Sequence, residues 1–309
     1  MRTHEAMPLM TAHDYARFLE LQGHRIRFAA GVYWFDVNRR FYLPAPHHRE
    51  YELTPRDLEP LFSGWNCLGV RYAAPPTHTA GRMSYQIVCD HRDYGLGLLS
   101  ANVRSKVRRG LKRCEVGPVD LSVLEAEGQV AHRDTLRRQR REEAWSETQW
   151  RRFWLAARVV PGVEGWAAWV DGRLAAFLVT VTFEDAVEFL LARSCSDERN
   201  AYPNNALIYT VTEEMLVRRR APQVTFGLES LEPVKPLDEF KFSMGFRPKP
   251  IRQVVVFHPL LRALFANRYA RAGVLRWLEQ RGKKGVFWRK AAGLLRFADE
   301  AEGRPPQDT

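Results

Sequence analysis

The chain has 309 residues, of which 45% are hydrophobic and 12% aromatic. This length and composition supply a sizeable apolar core, allow two domains, and exclude a chain that is disordered throughout. The four cysteines stand far apart without a Cys-x-x-Cys pair, so neither a disulfide framework nor a zinc site is predicted. The N-terminus has no apolar signal region, and no run approaches the roughly 18 apolar residues of a membrane span. We therefore expect a cytoplasmic protein without a transmembrane segment.

The net charge of +11 is concentrated near the C-terminus. Between Phe257 and Phe297, ten lysines and arginines accompany a single acid, Glu279, so this stretch carries +9 of the total. Apolar residues recur there at helical spacing, which predicts a basic amphipathic helical tail over residues 259–309. A cationic face of this kind attracts RNA, an acidic carrier protein or an anionic membrane. Charge alone does not choose among them, and a solvated face without a partner is the alternative.

The first 99 residues read as a separate α+β module. A short helix over Thr11–Gly23 is followed by a hairpin whose strands, Val32–Val37 and Phe41–Leu43, flank the turn Asn38-Arg39. After a proline-rich stretch, apolar alternation predicts two more strands, Asn66–Tyr72 and Met83–Cys89.

A basic helix follows over Ser100–Arg113, with a weak break predicted at Gly110. It carries no acid and six cations, Arg104, Lys106, Arg108, Arg109, Lys112 and Arg113. One interpretation is contact with an anionic substrate; the other is a linker helix whose long side chains lie over the core. Two further helices are predicted over His132–Glu143 and Ser146–Val160, the second opening with a capping box and carrying an apolar stripe that we expect to be core.

Three consecutive strands then form an antiparallel meander. Trp166–Val170 and Leu174–Phe183 flank the hairpin signal Asp171-Gly172, and Ala186–Arg193 is the third strand. The remaining elements alternate between helix and strand: a helix from Asn204, a strand Val224–Leu228, a helix Leu237–Met244 and a strand Ile251–Phe257. Asn204 is predicted to cap the first of these helices.

This order, ending in Phe240-Lys241-x3-Gly245-Phe246, resembles the acyl-transfer half of the GNAT N-acyltransferase fold, in the variant of the Fem-like acyltransferases. The resemblance covers roughly Tyr94 to Pro259. It implies an α+β fold with a mixed, mostly antiparallel sheet flanked by helices, and an acyltransferase module over residues 100–258. Fem-like proteins contain tandem copies of the fold, so a degenerate first copy in residues 1–99 is a hypothesis.

The same resemblance implies a site for the acyl donor. In GNAT proteins the helix after the third meander strand presents unpaired N–H groups to the donor's pyrophosphate, behind a Gln or Arg followed by glycines three and five residues later. Arg199 matches the first position, whereas Tyr202 and Asn204 stand where glycines are expected. The implied donor contacts are Arg199, Tyr202, Asn204 and Asn205. For Asn204, a helix cap without a ligand is the alternative.

Lys241 is the catalytic candidate that the resemblance implies. GNAT enzymes commonly have a Tyr four residues before the final Gly-Phe pair, and Lys241 has that position here. In Fem-like acyltransferases a Lys at this position is thought to stabilise charge on the acyl carbonyl or the leaving group. A structural ion pair with Asp238 or Glu239 is the alternative interpretation.

The incoming amine must lose a proton, so a carboxylate is expected nearby. Glu229 follows the strand Val224–Leu228, and Glu188 lies between two apolar residues of the third meander strand. Either could accept the proton, and either could be a structural carboxylate whose hydrogen bonds are satisfied.

The sequence thus predicts an N-acyltransferase that moves an acyl or aminoacyl group to an amine by direct attack, without a covalent intermediate or a metal. Acyl-CoA, an acyl-carrier protein and aminoacyl-tRNA are the candidate donors. Two alternatives remain open: an inactive GNAT-like module that binds nucleic acid or an acidic partner through its basic helices, and a tail that contacts an anionic membrane as a peripheral anchor.

Overall fold

The computed structural model describes residues 8–38, 40–139, 145–230, 235–282 and 286–301. The chain forms two compact units, each assembled from separate stretches of sequence. The first unit comprises Met1–Gln22, Ile87–Gly227 and Lys235–Pro248. The second unit comprises Gly23–Gln86, Leu228–Val234 and Lys249–Thr309. The division at residues 99 and 258 stays a prediction.

The helices and strands are numbered in chain order. The helices are α1 Ala12–Leu21, α2 Pro55–Leu58, α3 Ala101–Arg113, α4 Leu121–Arg138, α5 Glu147–Val159, α6 Pro203–Glu213, α7 Lys235–Ser243, α8 Pro259–Ala266, α9 Arg268–Gly282 and α10 Val286–Ala301. The strands are β1 Ile26–Ala29, β2 Val32–Asn38, β3 Phe41–Ala45, β4 Gly69–Ala74, β5 Arg82–Cys89, β6 Glu115–Val119, β7 Val163–Val170, β8 Arg173–Thr182, β9 Val187–Ser194, β10 Val224–Leu228 and β11 Arg247–Phe257.

The sheet of the first unit has the order β10, β9, β8, β7, β6. Strands β6 to β9 are antiparallel neighbours and β10 is parallel to β9, so the predicted meander is confirmed. Its Asp171-Gly172 turn has positive φ at both residues, as a two-residue hairpin turn requires. Strand β6 was not predicted, because Gly117 and Pro118 disfavour strands except at an edge such as this one.

Helices cover this sheet. α4 packs on β8 and β9, α5 packs against α1, and α6 packs on β7 and β8. The stripe of α5 is core, as predicted: Trp150, Phe153 and Trp154 are buried, and Trp154 contacts the other two rings edge-on. The capping box of Ser146 and Gln149 is present at its start. The helix predicted from His132 begins earlier, at Leu121, and its predicted end at residues 140–143 lies outside the described residues.

Helix α3 is continuous from Ala101 to Arg113, so the break predicted at Gly110 is wrong. The glycine instead allows α3 to approach α6. A Cβ atom at position 110 would lie 2.8 Å from the carbonyl oxygen of Tyr202 and 3.0 Å from the Cβ of Ala206. Close helix packing therefore explains a residue that by itself disfavours a helix.

The start of α6 also differs from the prediction. Its N-cap is Tyr202, in the left-handed conformation with φ 58° and ψ 43°, and Pro203 is the first helical residue. Asn204 lies inside the first turn, so its prediction as the cap is wrong. Proline explains the shift, because it favours the first helical position and excludes the residue before it from the right-handed helical region.

The second unit contains a sheet with the order β1, β2, β3, β4, β11. β1 to β3 are antiparallel, β3 and β4 are parallel, and β4 and β11 are antiparallel. The hairpin of β2 and β3 was predicted, although its turn residue Arg39 lies outside the described residues. Trp34, Tyr42 and Tyr72 are buried in the core of this unit.

The C-terminal tail of the second unit contains the three helices α8, α9 and α10. Leu278, Ala292 and Leu295 form a small apolar core with the partly buried Phe265 and Trp288. Most described cations of these helices are exposed: Arg262, Arg276, Arg281, Arg289 and Arg296. Lys283 and Lys284 lie outside the described residues. In the part of the chain that the structure describes, no helix is long and apolar enough to cross a membrane.

Substitution of Gly110 by alanine is expected to destabilise the first unit, because the new methyl group must push α3 away from the Tyr202 carbonyl group. The thermal unfolding midpoint should fall by several degrees, since backbone cannot yield as a flexible side chain does. Gly273→Ala in α9 is the control: nothing lies within 4 Å of its added Cβ. That control should leave the midpoint unchanged or raise it. Equal, small effects of both substitutions would contradict the close-packing explanation.

A second prediction concerns acid stability. The buried imidazole of His132 accepts the Nε–H of Arg193 at its Nδ1 atom, 3.0 Å away, and lies against Trp150. Burial and then the charges of Arg193 and Arg133 lower the pKa of His132 from 6.5 to about 4. Between these pH values the unfolded chain binds the proton and the folded chain does not, so the free energy of unfolding should fall as pH decreases, by up to about 3 kcal/mol in all.

Urea unfolding at a series of pH values measures this loss. His132→Gln should make the profile between pH 6.5 and 4 flatter, whereas His13→Gln, at an exposed histidine of the same unit, should preserve its slope. Identical profiles for wild type and His132→Gln would contradict the assignment.

Candidate functional site

The parallel strands β9 and β10 separate soon after they pair. Their register is limited to Val187 with Val224 and Glu188 with Thr225, although β9 continues to Ser194. A bulge in β9 opposite Val179 and Thr180, with Leu190 as the extra residue, bends one strand. Gly227, with φ 81°, bends the other. The carboxyl ends of two neighbouring strands thus enclose a gap, which is where ligands bind in open α/β sheets.

Aromatic rings form one wall beside the gap. Phe226 of β10 lies 4.7 Å from Phe246 and 5.1 Å from Phe189 of β9, measured between ring centroids. Phe189 and Phe246 are buried. The wall is apolar and excludes water, so a charge placed beside it interacts more strongly with other charges than it would in solvent.

Lys241 of α7 lies over this wall. Its Nζ atom is 5.4 Å from the ring centroid of Phe226, within the range of a cation–π contact. The same atom donates to Oδ1 of Asp238 at 2.9 Å, and the two side chains are only 15% and 14% exposed. The ion pair of the alternative interpretation is therefore present. A lysine ammonium has three N–H groups, so one such bond does not exhaust its donors.

The first turn of α6 meets the end of α7. The side-chain amide of Asn205 lies 3.5 Å from Sδ of Met244, the residue after α7, and the Tyr94 hydroxyl donates to the Met244 carbonyl oxygen at 2.8 Å. Burial raises the pKa of Tyr94 well above its usual value, so the phenol remains a donor. These contacts bring the predicted donor segment and the helix of Lys241 together in the first unit.

The donor segment begins with Arg199, which is exposed on a short turn that ends at Ala201. Tyr202 then turns the chain into α6 and, being tyrosine in the cap position, gives the helix no side-chain cap. The N–H groups of Asn204 and Asn205 lie in the first turn, where an α-helix has no internal acceptors, and Pro203 has no N–H group. The backbone here has the polarity that suits an anion.

The side chain of Asn204 is used within the fold. Its Nδ2 atom donates to Oγ of Ser194, the last residue of β9, at 2.9 Å. Arg138 of α4 donates to the same hydroxyl oxygen at 2.9 Å and to Oγ of Ser196 at 3.0 Å. Asn204 therefore ties α6 to the end of β9, and its backbone N–H group is also a candidate donor contact.

Arg138, Ser194 and Ser196 were missed in the sequence. Arg138 ends α4, and the two serines belong to a polar stretch without a recognisable spacing. No sequence signal pairs a residue on one helix with a hydroxyl group about 56 residues later, because the pairing depends on how α4 packs on β9. The one signal in the sequence was the polar stretch that contains Ser194 and Ser196, because polar loops after buried strands often carry binding residues.

The basic face of α3 lies beside the donor segment. The Arg109 guanidinium lies 4.8 Å above the ring of Tyr202, and Nη1 of Arg113 donates to the Asn200 carbonyl oxygen at 2.9 Å. A shallow, open cleft of about 450 Å³ runs along the helix, between side chains that all belong to α3: Ala101, Arg104, Ser105, Arg108, Arg109 and Lys112. The cations from position 104 to position 112 span about 12 Å at 1.5 Å per residue, more than a single phosphate group requires.

The two candidate bases belong to different units. Glu188 is buried in β9, and its charge contributes, after burial, to raising the pKa of Tyr15 on α1. The Glu188 side chain therefore lies close enough to Tyr15 of α1 for the two groups to interact electrostatically. Glu229 belongs to the second unit, where its Oε2 atom accepts from Ser84 Oγ at 2.6 Å and from Arg82 Nη2 at 3.1 Å. Both roles stay predictions.

The described residues contain no group of three or more His, Cys, Asp or Glu that could hold a metal ion. What the first unit assembles is a helix start whose N–H groups have the polarity that suits an anion, a row of cations and a largely buried ammonium group over an apolar wall. Such an arrangement can hold an anionic group and stabilise a developing oxyanion.

No family model matches the chain, and no curated protein is significantly similar to it in sequence. Solved structures are similar to it in fold. The C-terminal domain (DUF2156) of a putative lysylphosphatidylglycerol synthetase from Agrobacterium fabrum is 14% identical, with coverage of 78% of this chain and 87% of that one and a TM-score of 0.54. FemX is 13% identical, with coverage of 82% and 98% and a TM-score of 0.55.

At these identities the likeness shows the fold and does not single out a member of a family. The predicted fold class is confirmed: a mixed, mostly antiparallel sheet flanked by helices. The chain shares its fold with these two structures.

Proposed function

We propose that this protein is an N-acyltransferase, which moves an acyl or aminoacyl group from a thioester or a tRNA ester to an amine by direct attack. The observation that carries the proposal is the meeting of α6 and α7 where β9 and β10 separate. The contact between Asn205 and Met244 brings an anion-binding helix start close to the helix of Lys241. Direct transfer needs these two functions side by side, one to hold the donor and one to stabilise the charge on the reacting carbonyl group.

The donor side of the site supports an anionic donor. The backbone N–H groups of Asn204 and Asn205 would contact a phosphate group, with Arg199 beside them and Tyr202 held by the stacked Arg109. The cleft along α3 continues the positive surface from that segment. Acyl-CoA, the phosphopantetheine of a carrier protein and aminoacyl-tRNA all present phosphate groups, and the length of the cleft favours a donor with several of them.

The chemistry at the acyl group requires stabilisation of an oxyanion. As the amine attacks, negative charge develops on the carbonyl oxygen, and the C–N bond forms before the thiolate or ribose oxygen leaves. Lys241 would donate to that oxygen with an N–H group that Asp238 does not use, while Phe226 and Phe246 exclude water. Removal of one oxyanion donor typically lowers kcat by 10²–10³, or about 3–4 kcal/mol.

The attacking amine must deprotonate, and we propose Glu188 or Glu229 as the acceptor of that proton. Glu188 lies in β9 at the last register pair before the strands separate. Glu229 follows β10, where Arg82 and Ser84 hold its carboxylate. Each glutamate is replaced by glutamine in turn, and the pH–rate profile is measured. The base is the residue whose replacement abolishes the acidic limb of that profile.

Lys241→Met is expected to lower kcat by 10²–10³ with little change in KM, because the lost interaction forms in the transition state. The assay is steady-state product formation across a panel of acyl-CoA, acyl-carrier-protein and aminoacyl-tRNA donors. Lys249→Met is the matched control, since Lys249 also makes a 2.9 Å ion pair, with Glu50, and belongs to the second unit.

The control should retain wild-type kcat. If both variants lose kcat only in proportion to a lower unfolding temperature, the Lys241 ion pair is structural. Turnover that is the same in wild type and Lys241→Met would remove the catalytic role altogether.

The row of cations on α3 is tested by the salt dependence of binding. The triple variant Arg104→Gln, Arg108→Gln, Lys112→Gln should weaken binding of tRNA or CoA. The slope of log K against log salt should become shallower by about 0.7–0.9 for each phosphate group that the variant no longer neutralises. The control is a second triple variant, which removes the same charge from exposed residues of the same unit: Arg151→Gln, Arg152→Gln, Arg173→Gln. Equal effects of the two triple variants would mean that only overall charge attracts the ligand.

The same basic face supports a second candidate function, a GNAT-like module that binds nucleic acid without catalysis. This candidate requires salt-dependent tRNA binding that is the same in wild type and Lys241→Met, together with no product from any donor. Turnover of one donor by the wild type, absent in the variant, decides in favour of the enzyme.

A further inference from the structure

An apolar cavity lies in the second unit, between the C-terminal tail and residues of its sheet. Its volume is about 290 Å³, and its walls include Phe41 of β3, Phe257 of β11, Phe265 of α8, Trp277 of α9 and Trp288 of α10. Its remaining lining side chains are aliphatic. Protein cores are normally packed without voids much larger than a water molecule, and an apolar cavity does not hold ordered water well. A cavity of this size approaches the volume of small-molecule pockets and calls for an apolar occupant.

A cation stands beside the cavity. The guanidinium of Arg281 lies 4.5 Å from the ring of Trp277 and 5.2 Å from the ring of Trp288, and both indoles line the cavity. Trp277 is 45% exposed, so the cavity reaches the surface at this residue. An apolar interior with a cation at its opening is complementary to an amphiphile that has an apolar chain and an anionic head.

The surrounding surface has the chemistry of a membrane interface. Leu260 and Leu264 of α8 are 58% and 46% exposed. Exposed arginines lie on the same helices, at positions 262 and 276. Apolar and cationic side chains on one set of helices favour the boundary between anionic headgroups and acyl chains. Nucleic acid would satisfy the cations but leaves the cavity and the exposed leucines unexplained.

We propose that the tail binds an anionic phospholipid at a membrane surface, with one acyl chain in the cavity and the headgroup beside Arg281. The site is separate from the proposed acyl-transfer site and does not depend on it. It refines the choice among partners of the tail, because the apolar lining suits a hydrocarbon chain and offers no polar side chain to the hydrogen-bonding edge of a nucleobase.

The test uses the full-length protein and vesicles of phosphatidylcholine with and without phosphatidylglycerol. Flotation measures binding, and tryptophan fluorescence reports depth when the acyl chains carry bromine. We expect flotation only with phosphatidylglycerol and quenching by brominated chains. The quenching should largely disappear in the double variant Trp277→Phe, Trp288→Phe, because these are the indoles that line the cavity.

Two pairs of variants separate the cavity from diffuse charge. Val274→Phe with Ala291→Phe fills the cavity without changing charge and should reduce binding at least fivefold, whereas Ala263→Phe adds the same side chain at an exposed position of α8 and should not reduce it. Arg281→Gln should weaken binding more than Arg276→Gln, an equal charge change away from the indole pair.

Several results would overturn the proposal. Flotation that is equal in wild type and the filled variant would mean binding by charge alone. Quenching by a brominated fatty acid in solution without flotation would assign the cavity to a free fatty acid. If thermal unfolding shows that the filled variant does not fold, the quenching experiment on the wild type is the test. No quenching of Trp277 and Trp288 by brominated acyl chains would rule out an acyl chain in the cavity.

Discussion

The separation of β9 from β10 is the constraint on which the first unit depends. Two parallel strands with complete pairing would leave no space between their carboxyl ends. The extra residue Leu190 in β9 and the left-handed Gly227 in β10 stop the pairing after two register pairs. Both are local backbone features, and both have a cost: a bulge leaves ladder groups without their regular partners, and glycine loses more conformational entropy than other residues on folding.

The gap positions the helices α6 and α7 next to it. α6 follows β9 after a short turn, and α7 follows β10, so the separation of the strands decides where the start of α6 and the Lys241 ammonium group come together. Ser194 at the end of β9 is held by Arg138 and Asn204, which fixes α6 to the strand from which it continues. Hydrogen bonds therefore hold the predicted donor segment where it leaves the sheet, although it lacks the glycines that the GNAT resemblance implies. A left-handed Tyr202 costs more than a glycine would, and the stacking of Arg109 on its ring offsets part of that cost.

The parts of this arrangement that could be predicted are those decided by nearby residues. The Asp171-Gly172 turn, the capping box of Ser146 and the strand Val224–Leu228 follow from neighbours in the sequence, and the structure confirms them. Even the pair of Lys241 and Asp238 is an i, i+3 contact on one helix. Distant contacts were the ones that could not be predicted. Gly110 looks like a weak point of a helix until α6 is packed against it.

The function of a basic surface is also difficult to predict from sequence alone. The sequence has two basic stretches that look alike, because lysine and arginine have the same sign in every context. Packing gives them different surroundings. On α3, the cations from Arg104 to Lys112 line a cleft beside a helix start, where polar atoms suit phosphate groups. In the tail, Arg281 stands over two indoles that line an apolar cavity. In the functions proposed here, a cation next to the start of α6 selects for charge, whereas a cation next to the cavity selects for charge joined to a hydrocarbon chain. In both proposals, the atoms that surround the cations, polar beside α3 and apolar in the tail, decide which anion is recognised.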